Sequence, residues 1–187
     1  MLGLRRGGDV FSFTMKREGV GFREALEMLA DRAGIALATP VGPTPTPGSP
    51  GDKRTLYKAA AWAEAEFHRC LLHDAEGEPG RRYFAERGIT AESIAKFHLG
   101  FAPDKFDWLL SRAKGTPFTP AVLERIGLVL KRDNGPGYFD RFRGRVMFSI
   151  RDIERRPIAM GGRILPEFAK ENTAKYINSP ETPLFSK

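Results

Sequence analysis

The stretch RVMFSIRDIERRPIAMGGRIL, residues 145–165, decides how the C-terminal third of this 187-residue chain folds. The apolar residues Val146, Phe148 and Ile150 alternate with their neighbours, a period that is typical of a half-buried β-strand. A polar turn follows over residues 152–156, and residues 157–165 return as a second strand. The stretch therefore predicts an antiparallel hairpin.

Helical patterns dominate the chain before this hairpin. Apolar residues recur at helical spacing within residues 22–33, and Gly34 offers a C-terminal cap. A longer helix is predicted from a second apolar face, made of Leu56, Ala60, Ala63, Phe67, Cys70 and Leu71. Further helices are predicted to begin near residues that are favoured at helix N-termini, namely Pro79, Thr90, Asp104 and Thr119.

Smaller elements are predicted on both sides of the hairpin. Leu128–Leu130 is a short apolar run that precedes a strong turn signal at Asn134–Gly137. Lys175–Asn178 is predicted to be a further strand or an ordered loop. The fold class that follows is α+β, with a helical N-terminal segment, then helices followed by a small antiparallel sheet.

Proline and glycine separate an N-terminal segment from the main domain. Residues 38–53 contain five prolines and three glycines, a composition that is incompatible with a helix or a central strand. We expect a semi-extended linker there. Residues 1–37 then form an N-terminal segment with one helix, and residues 54–187 form the main domain.

Basic residues are concentrated in the C-terminal third. The whole chain has 30 Lys and Arg against 23 Asp and Glu, a net charge of +7. Residues 131–187 contain 12 of the basic residues and 7 of the acidic ones, and so carry a net charge of +5. Such a field attracts polyanions such as nucleic acids. A basic surface that only aids solubility fits these counts as well.

The composition disfavours several kinds of site and location. Cys70 is the only cysteine, which excludes a disulfide framework and a cysteine-based zinc site within the chain. His68, His73 and His98 lack the spacing of metal ligands, and no glycine-rich loop ends in Gly-Lys-Ser/Thr. No apolar run reaches the roughly 18 to 20 residues of a membrane span, and the N-terminus lacks the apolar core of a signal peptide. We therefore expect a cytoplasmic location without a membrane partner.

The carboxylates near the hairpin do not predict a metal site. Paired carboxylates that hold two magnesium ions would indicate a polymerase centre. Asp140, Asp152 and Glu154 are the only candidates in this region, and each lies beside an arginine. We interpret them as charge-paired turn residues, so the sequence predicts no metal ligand in this chain.

A group of arginines near the hairpin is the strongest candidate for a binding surface. Arg141, Arg143 and Arg145 alternate on the approach to the first strand, so we expect them on one face. Arg163 on the returning strand is expected to lie near them, and Lys175-Tyr176 places a charge beside an aromatic ring. Arginine forks match phosphate oxygens, and aromatic rings stack on unpaired bases. A sheet face edged with solvated arginines explains the pattern equally well.

Blocks of sequence spread along the chain occur in the order and spacing of one known family. Two of them surround the hairpin: YFDRFRGRVMF at residues 138–148, and GGR at residues 161–163 followed by KYINSPET at residues 175–182. Earlier blocks are YFAERGI at residues 83–89, LGFAP at residues 99–103, and GDVF at residues 8–11 with the helix over residues 22–35. Apart from the linker, nearly the whole chain thereby resembles bacterial DnaG-type DNA primases.

The resemblance implies a structural role for each part of the chain. Residues 54–187 are similar to the N-terminal subdomain of the primase polymerase core, and residues 1–37 to the end of the zinc-binding domain. In such primases this subdomain carries a basic groove for the single-stranded DNA template, while a Toprim subdomain holds the magnesium ions. The implied partners are the template, the RNA–DNA primer duplex and nucleoside triphosphates.

The resemblance also implies which residues bind. It points to nucleic-acid contacts at Arg87, Arg163, Lys175, Tyr176 and Lys187. The arginine pattern adds Arg141, Arg143 and Arg145 to this set. Asn178 is implied to form a hydrogen bond near the initiating nucleotide, so it is the candidate nucleotide-binding residue.

Two departures limit what the resemblance transfers. Met1 and Leu4 stand about where the last two cysteines of the family's zinc ribbon lie, so the zinc ligands are absent here. No Toprim carboxylates appear before Lys187, so we expect no primer synthesis by this chain alone. The family's replicative helicase is expected to bind a C-terminal domain outside this chain.

Two functions remain open at this point. The chain is either a template-binding part of a DNA primase that contributes to RNA primer synthesis, or a stand-alone single-stranded nucleic-acid-binding remnant without polymerase activity.

Overall fold

A computed structural model describes residues 9–35 and 45–186 of the chain, which divide into two units between Thr44 and Pro45. The division falls within the predicted linker, of which residues 38–44 lie outside the described ranges. No helix in these ranges is both long enough and apolar enough to cross a lipid bilayer.

The N-terminal unit contains two helices, α1 (Val10–Glu18) and α2 (Phe22–Ala33). Helix α2 and its left-handed cap at Gly34, with φ of 67°, confirm the prediction for this segment. Helix α1 was not predicted, because it has no clear apolar stripe and buries none of its residues. Its start is nevertheless marked, since the Asp9 carboxylate accepts a hydrogen bond of 2.7 Å from the backbone N–H of Ser12.

The helices of the second unit follow the predicted pattern closely. They are α3 (Lys53–His73), α4 (Glu78–Glu86), α5 (Ala91–Phe97), α6 (Trp108–Ala113) and α7 (Pro120–Arg125), with 3₁₀ turns at Ala75–Gly77 and Pro166–Phe168. The apolar face predicted for α3 is buried from Leu56 to Leu71. The caps at Thr90 and Thr119 are confirmed, because each hydroxyl accepts a hydrogen bond from the backbone N–H three residues later.

Helix α6 is capped by a residue that the sequence did not indicate. The expected cap, Asp104, lies outside the helix, which begins at Trp108. The carboxylate of Asp140 instead accepts hydrogen bonds from the backbone N–H groups of Leu109, at 2.6 Å, and Leu110, at 3.2 Å. The prediction for Asp104 was wrong because the cap comes from a distant strand and not from the local sequence.

The hairpin predicted from residues 145–165 lies at the centre of an antiparallel sheet. Its strands are β4 (Arg145–Arg151) and β5 (Pro157–Ile164), which are flanked by β1 (Gly100–Ala102) and β6 (Tyr176–Asn178) in the order β1-β4-β5-β6. Strands β2 (Val129–Lys131) and β3 (Tyr138–Asp140) pair separately around the predicted turn. The fold is therefore α+β, as the sequence predicted.

Helices cover both faces of the sheet where β1 meets β4. On one face, Gly100 approaches α3 so closely that a Cβ atom on it would lie 2.7 Å from the Cβ of Phe67. On the other face, a Cβ atom on Gly80 of α4 would lie 3.0 Å from the Phe101 ring. The core of this unit is thus built around the β1 end of the sheet, and the β6 end is less covered.

The alternation predicted for β4 was wrong. Val146 and Met147 point to opposite faces, and both are buried because a helix covers each face. Phe148 shares the face of Val146 but is 38% exposed. Its ring is perpendicular to that of Phe84 on α4, with 6.5 Å between the ring centroids. The face that carries Phe148 is therefore open towards β6.

Candidate nucleic-acid interface

Three predicted site residues lie on the open face of the sheet. Strand register pairs Val146 with Arg163 and Arg163 with Tyr176, so the side chains of these residues share a face. Asn178 lies two residues after Tyr176 and belongs to the same face, with its side-chain oxygen close to Gly161. The pairing of β5 with β6 thus brings Arg163 together with residues that are 13 to 15 positions further along the sequence.

Tyr83 of α4 and Arg87, which caps the C-terminus of this helix, add to this face and contact the strands through stacked side chains. The Arg87 guanidinium lies 3.7 Å from the centroid of the Tyr83 ring. The Arg163 guanidinium lies 5.2 Å from the same ring and 5.5 Å from the ring of Tyr176. We call the set Arg87, Tyr83, Arg163, Tyr176 and Asn178 the Arg163 face. Cation–π contacts hold its two guanidiniums in fixed planes.

The positive charges of the Arg163 face are not neutralised within the described part of the chain. Neither Arg87 nor Arg163 forms an ion pair, whereas Arg82, one turn earlier on α4, pairs with Glu78 and Glu167. The Nε of Arg163 is buried and has no hydrogen-bond partner. Tyr176 is 59% exposed, so its ring is accessible from solvent. This surface can therefore offer arginine donors to an anion and an aromatic ring to a base.

Two other predicted contacts, Lys175 and Lys187, are not members of the Arg163 face. Lys175 is exposed just before β6, and its backbone carbonyl accepts a hydrogen bond of 3.0 Å from the N–H of Ile164, which anchors the residue beside the sheet edge. Lys187 lies outside the described residues.

The expectation that Arg141, Arg143 and Arg145 share one strand face was wrong. Only Arg145 belongs to β4, and the other two precede the strand in a segment without regular structure. Arg145 pairs with Ile164 and alternates with Val146, so it points away from the face of Arg163.

Arg145 has a structural role in this position. It is 5% exposed, and its guanidinium donates hydrogen bonds to the carbonyl oxygens of Gly162, Ala174 and Lys175. These bonds tie β4 to the segment that leads into β6. Arg145 thereby holds Lys175 and Tyr176 in place without lying on their side of the sheet.

The carboxylates of the strand region do not fit a magnesium site. Asp140 is 2% exposed and caps α6, and Asp152 accepts hydrogen bonds from the backbone N–H groups of Glu154 and Arg156. Asp152 and Glu154 both form ion pairs with Arg156. The carboxylates are therefore structural, as predicted, although the expected partners Arg141, Arg151 and Arg155 are not the observed ones.

Zinc is not accommodated by the described residues either. In that part of the chain no three His, Cys, Asp or Glu side chains lie close enough together to hold a metal ion. Cys70 is fully buried, and burial raises the pKa of its thiol to about 12, which opposes the thiolate form that zinc requires. The magnesium and zinc of the complete family are thus not matched by donor sets here.

Tyr83 is the member of the Arg163 face that sequence reasoning missed. Its place in α4 indicated only a core residue, and it is indeed buried. The signal that was available is its spacing, because Tyr83 and Arg87 are four residues apart and so adjoin on a helix.

Comparison with known proteins identifies the family to which the chain is similar. A family model described as DNA primase catalytic core, N-terminal domain, matches residues 67–187. The DNA primase of Enterococcus faecalis is 37% identical over 191 residues, which cover 99% of this chain and 30% of that protein. The DNA primase of Deinococcus radiodurans is 38% identical, with the same coverage. The chain thus spans about 30% of the length of these relatives.

Solved structures show the same likeness. A DnaG primase catalytic domain bound to single-stranded DNA is 37% identical, with a TM-score of 0.63 over 72% of this chain and 40% of that one. The RNA polymerase domain of Mycobacterium tuberculosis primase DnaG, in complex with double-stranded DNA carrying a 6-nucleotide overhang, is 35% identical, with a TM-score of 0.64 over 75% and 41%. The family model and these relatives together establish that the chain belongs to the DnaG-type DNA primases, and that its residues 67–187 match the N-terminal domain of their catalytic core.

Proposed function

We propose that this chain binds single-stranded DNA template as the N-terminal part of a DNA primase core, and so contributes to RNA primer synthesis in DNA replication. Membership of the family supports the general role, because one similar catalytic domain was solved with single-stranded DNA. The observation that carries the proposal is the Arg163 face, where two stacked guanidiniums without ion pairs adjoin an exposed ring.

Four residues of the Arg163 face, together with Lys175, contact the nucleic acid or the nucleotide in this proposal. Arg87 and Arg163 bind consecutive template phosphates, since a guanidinium that is fixed by stacking keeps its edge donors free for oxygens. Tyr176 stacks on an unpaired base. Asn178 offers both a donor and an acceptor to a base edge or to an incoming nucleotide. Lys175, at the sheet edge, adds charge along the path of the strand.

The proposed partners extend to the products and substrates of primer synthesis. A related domain was solved with duplex DNA that carries an overhang, which supports binding of a duplex next to a single strand. Nucleoside triphosphates and the RNA–DNA primer duplex are the corresponding partners proposed here. The helicase contact that the resemblance implies is not assigned to any residue of this chain.

Phosphoryl transfer itself is proposed to require another part of the polymerase core. Magnesium would neutralise the charge that develops during transfer. In the strand region of this chain, Asp140 caps a helix and Asp152 stabilises a turn. The residues of this chain bind and orient the template, and the Toprim part of the family supplies the metal site.

The binding proposal can be tested by fluorescence anisotropy with a labelled single-stranded oligonucleotide. We expect Arg163→Ala combined with Lys175→Ala to weaken binding and to reduce the slope of log K against log salt by about 1.4, at about 0.7 per lost phosphate contact. The matched control is Lys114→Ala with Arg125→Ala, because both residues are exposed and form no ion pair within the described residues. Equal affinities for the double variant and the control would contradict the assignment.

The polymerase part of the proposal needs a separate experiment. The chain is joined to a Toprim subdomain of the family, and primer synthesis on single-stranded template is followed with radiolabelled nucleotides. We expect the joined protein to synthesise primers, and its Arg163→Ala variant to lose this activity. A joined protein that binds template normally but makes no primer would favour the stand-alone binding function instead.

A further inference from the structure

Two consecutive glycines, Gly161 and Gly162, lie in the interior of β5. Glycine weakens the interior of a strand and marks a place where another group approaches the backbone closely. Neither residue has a positive φ, so alanine could adopt the backbone conformation of both. The reason for each glycine is therefore the space beside its Cα atom, and that space differs between the two positions.

Gly162 adjoins the packed face of the sheet, opposite Arg163. A Cβ atom on it would lie 2.8 Å from Cδ1 of Phe142, 3.1 Å from Cδ of Arg145 and 3.3 Å from Sδ of Met147. All three of these residues are buried, so they cannot move aside cheaply. Core packing thus explains Gly162.

Gly161 adjoins the Arg163 face, because it lies two residues before Arg163 on the same strand. A Cβ atom on it would lie 2.9 Å from Oδ1 of Asn178, and the next described atom is the carbonyl oxygen of Phe148, at 3.9 Å. Here the obstacle is the end of one exposed side chain. The Asn178 amide therefore occupies the space that a side chain at position 161 would take.

The backbone of Asn178 is fixed beside Gly161 by strand pairing, which joins the two residues across β5 and β6. The next residue, Ser179, is fully buried. Its N–H donates a hydrogen bond of 2.8 Å to the carbonyl oxygen of Met160, and its hydroxyl accepts one of 3.0 Å from the Met160 N–H. Because the backbone is held in this way, the direction of the Asn178 amide depends on its side-chain torsions alone.

The amide of Asn178 is available to a ligand. The residue is exposed, and its side chain forms no hydrogen bond with the described residues. An asparagine amide offers both donors and an acceptor. A side chain that is oriented before binding loses less conformational entropy when the ligand arrives.

We propose that Gly161 is a positioning residue for Asn178, because the missing side chain at position 161 lets the Asn178 amide lie against β5 in the direction that its contact with a nucleobase requires. This inference rests on the proposed function, which gives Asn178 that contact. The base belongs either to the template strand or to an incoming nucleotide. The two glycines then have separate roles, Gly162 in packing and Gly161 in binding.

The position of the amide can be measured without a ligand by nuclear magnetic resonance on the isotope-labelled chain. We expect a nuclear Overhauser effect between the side-chain NH₂ of Asn178 and the Hα protons of Gly161, and its loss in Gly161→Ala. The melting temperature of Gly161→Ala should stay within about 2 °C of the wild type, whereas Gly162→Ala should lower it by about 4 °C or more. An amide that lacks this contact in the wild type, or keeps it in Gly161→Ala, would overturn the proposal.

Binding is measured for Gly161→Ala, Asn178→Ala and the double variant, with a labelled single-stranded oligonucleotide by anisotropy and with ATP by calorimetry. We expect each single variant to weaken the binding of at least one probe by about two- to tenfold, the effect of one neutral hydrogen bond. The double variant should bind like Asn178→Ala alone, since it has no amide left to displace. A further loss in the double variant would show that Gly161 acts through the sheet, and would contradict positioning. Gly51→Ala is the control that should bind like the wild type, because a Cβ atom there meets only ordinary contacts.

The outcomes separate this inference from the proposed function. If Asn178→Ala binds both probes like the wild type, the proposed contact of Asn178 fails, and the positioning role of Gly161 fails with it. If Asn178→Ala loses affinity and Gly161→Ala does not, only the positioning role fails. A loss confined to the oligonucleotide assigns the amide to a template base, and a loss confined to ATP assigns it to the incoming nucleotide.

Discussion

Asp140 shows how one side chain can join distant parts of the chain. Its carboxylate receives two backbone hydrogen bonds from the first turn of α6. Burial raises the pKa of this carboxyl to about 7 and outweighs the hydrogen bonds from Leu109 and Leu110, which act in the opposite direction. The residue therefore links the stability of the fold to pH.

The contribution of Asp140 to the stability of the chain should fall as pH rises from about 4 to about 7. In the unfolded chain the carboxyl of Asp140 ionises near the ordinary aspartate pKa of 3.8, whereas in the folded chain it keeps its proton up to about pH 7. The unfolded state binds fewer protons across this window, so ionisation of Asp140 favours unfolding. Asp140→Asn keeps an acceptor oxygen but cannot ionise.

Urea unfolding at several pH values measures this effect. The free energy of unfolding of the wild type, relative to Asp140→Asn, should decrease between about pH 4 and pH 7 and change little above that. A difference that is constant over the window, or one that grows with pH, would show that the hydrogen bonds keep the carboxylate ionised in the folded chain.

Residue-scale prediction of position from sequence was confirmed where strands fix the geometry. Arg163 was predicted in a strand, and Tyr176 and Asn178 in a strand or an ordered loop; the strand register places all three on one face, and their contacts with nucleic acid stay a prediction. It failed where the partner is remote, as with Asp140 and α6, or where it lies in irregular chain, as with Arg143. Spacing along a strand or helix is fixed by its period, but no comparable rule exists for the segment before β4.

At the scale of elements, local signals predicted most helix limits. Hydroxyl caps at Thr90 and Thr119 were readable because the acceptor and donor lie three residues apart. The burial of β4 was not readable, because it depends on which helices cover each face. The sequence pattern placed Phe148 among the buried residues. Its exposure depends on how much of this face α4 covers, which the sequence does not show.

The close contact of β1 with α3 makes a glycine necessary at position 100. A Cβ atom there would lie 2.7 Å from the Phe67 Cβ and 2.8 Å from the Phe67 carbonyl carbon, and backbone cannot move aside cheaply. We expect Gly100→Ala to lower the free energy of unfolding by about 1–3 kcal/mol through forced separation of the strand and the helix.

Gly51→Ala is the matched control for this substitution. A Cβ atom on Gly51 would lie 3.4 Å from the Pro45 Cβ, which is ordinary van der Waals contact. Denaturant unfolding of both variants measures the difference. A Gly100→Ala variant as stable as Gly51→Ala would mean that β1 is not packed against α3 in this way.

The ring of Tyr83 connects α4 to the strands of the Arg163 face. Replacing it with leucine keeps a buried apolar side chain but removes both cation–π contacts, so Arg87 and Arg163 lose their fixed planes. We expect Tyr83→Leu to weaken oligonucleotide binding several-fold, in line with about 0.5–1 kcal/mol for each such contact. Tyr83→Phe keeps the ring and should restore wild-type affinity in the same anisotropy assay. Equal losses in both variants would point to the hydroxyl instead.

At the scale of the whole molecule, the hydrophobic core and the basic C-terminal third belong to the same unit. The connected hydrophobic core runs from Leu56 to Leu165 and lies entirely within the second unit. The Arg163 face belongs to the same unit. Composition alone located the basic third of the chain, but only the fold shows that Arg145 and Arg163 point to opposite faces of one sheet.

Residues 45–187 should therefore fold and bind without the N-terminal unit. Every member of the connected core is retained, so the melting temperature should stay within about 3 °C of that of the whole chain, a shift that corresponds to about 1 kcal/mol in a domain of this size. The salt slope of oligonucleotide binding should also be unchanged, because the proposed phosphate contacts within residues 45–186 all remain. Calorimetry and anisotropy on the shortened chain measure both. A cooperative transition that persists together with a reduced salt slope would show that basic residues before Pro45 also contact the strand, and loss of the transition would show that the two units fold as one.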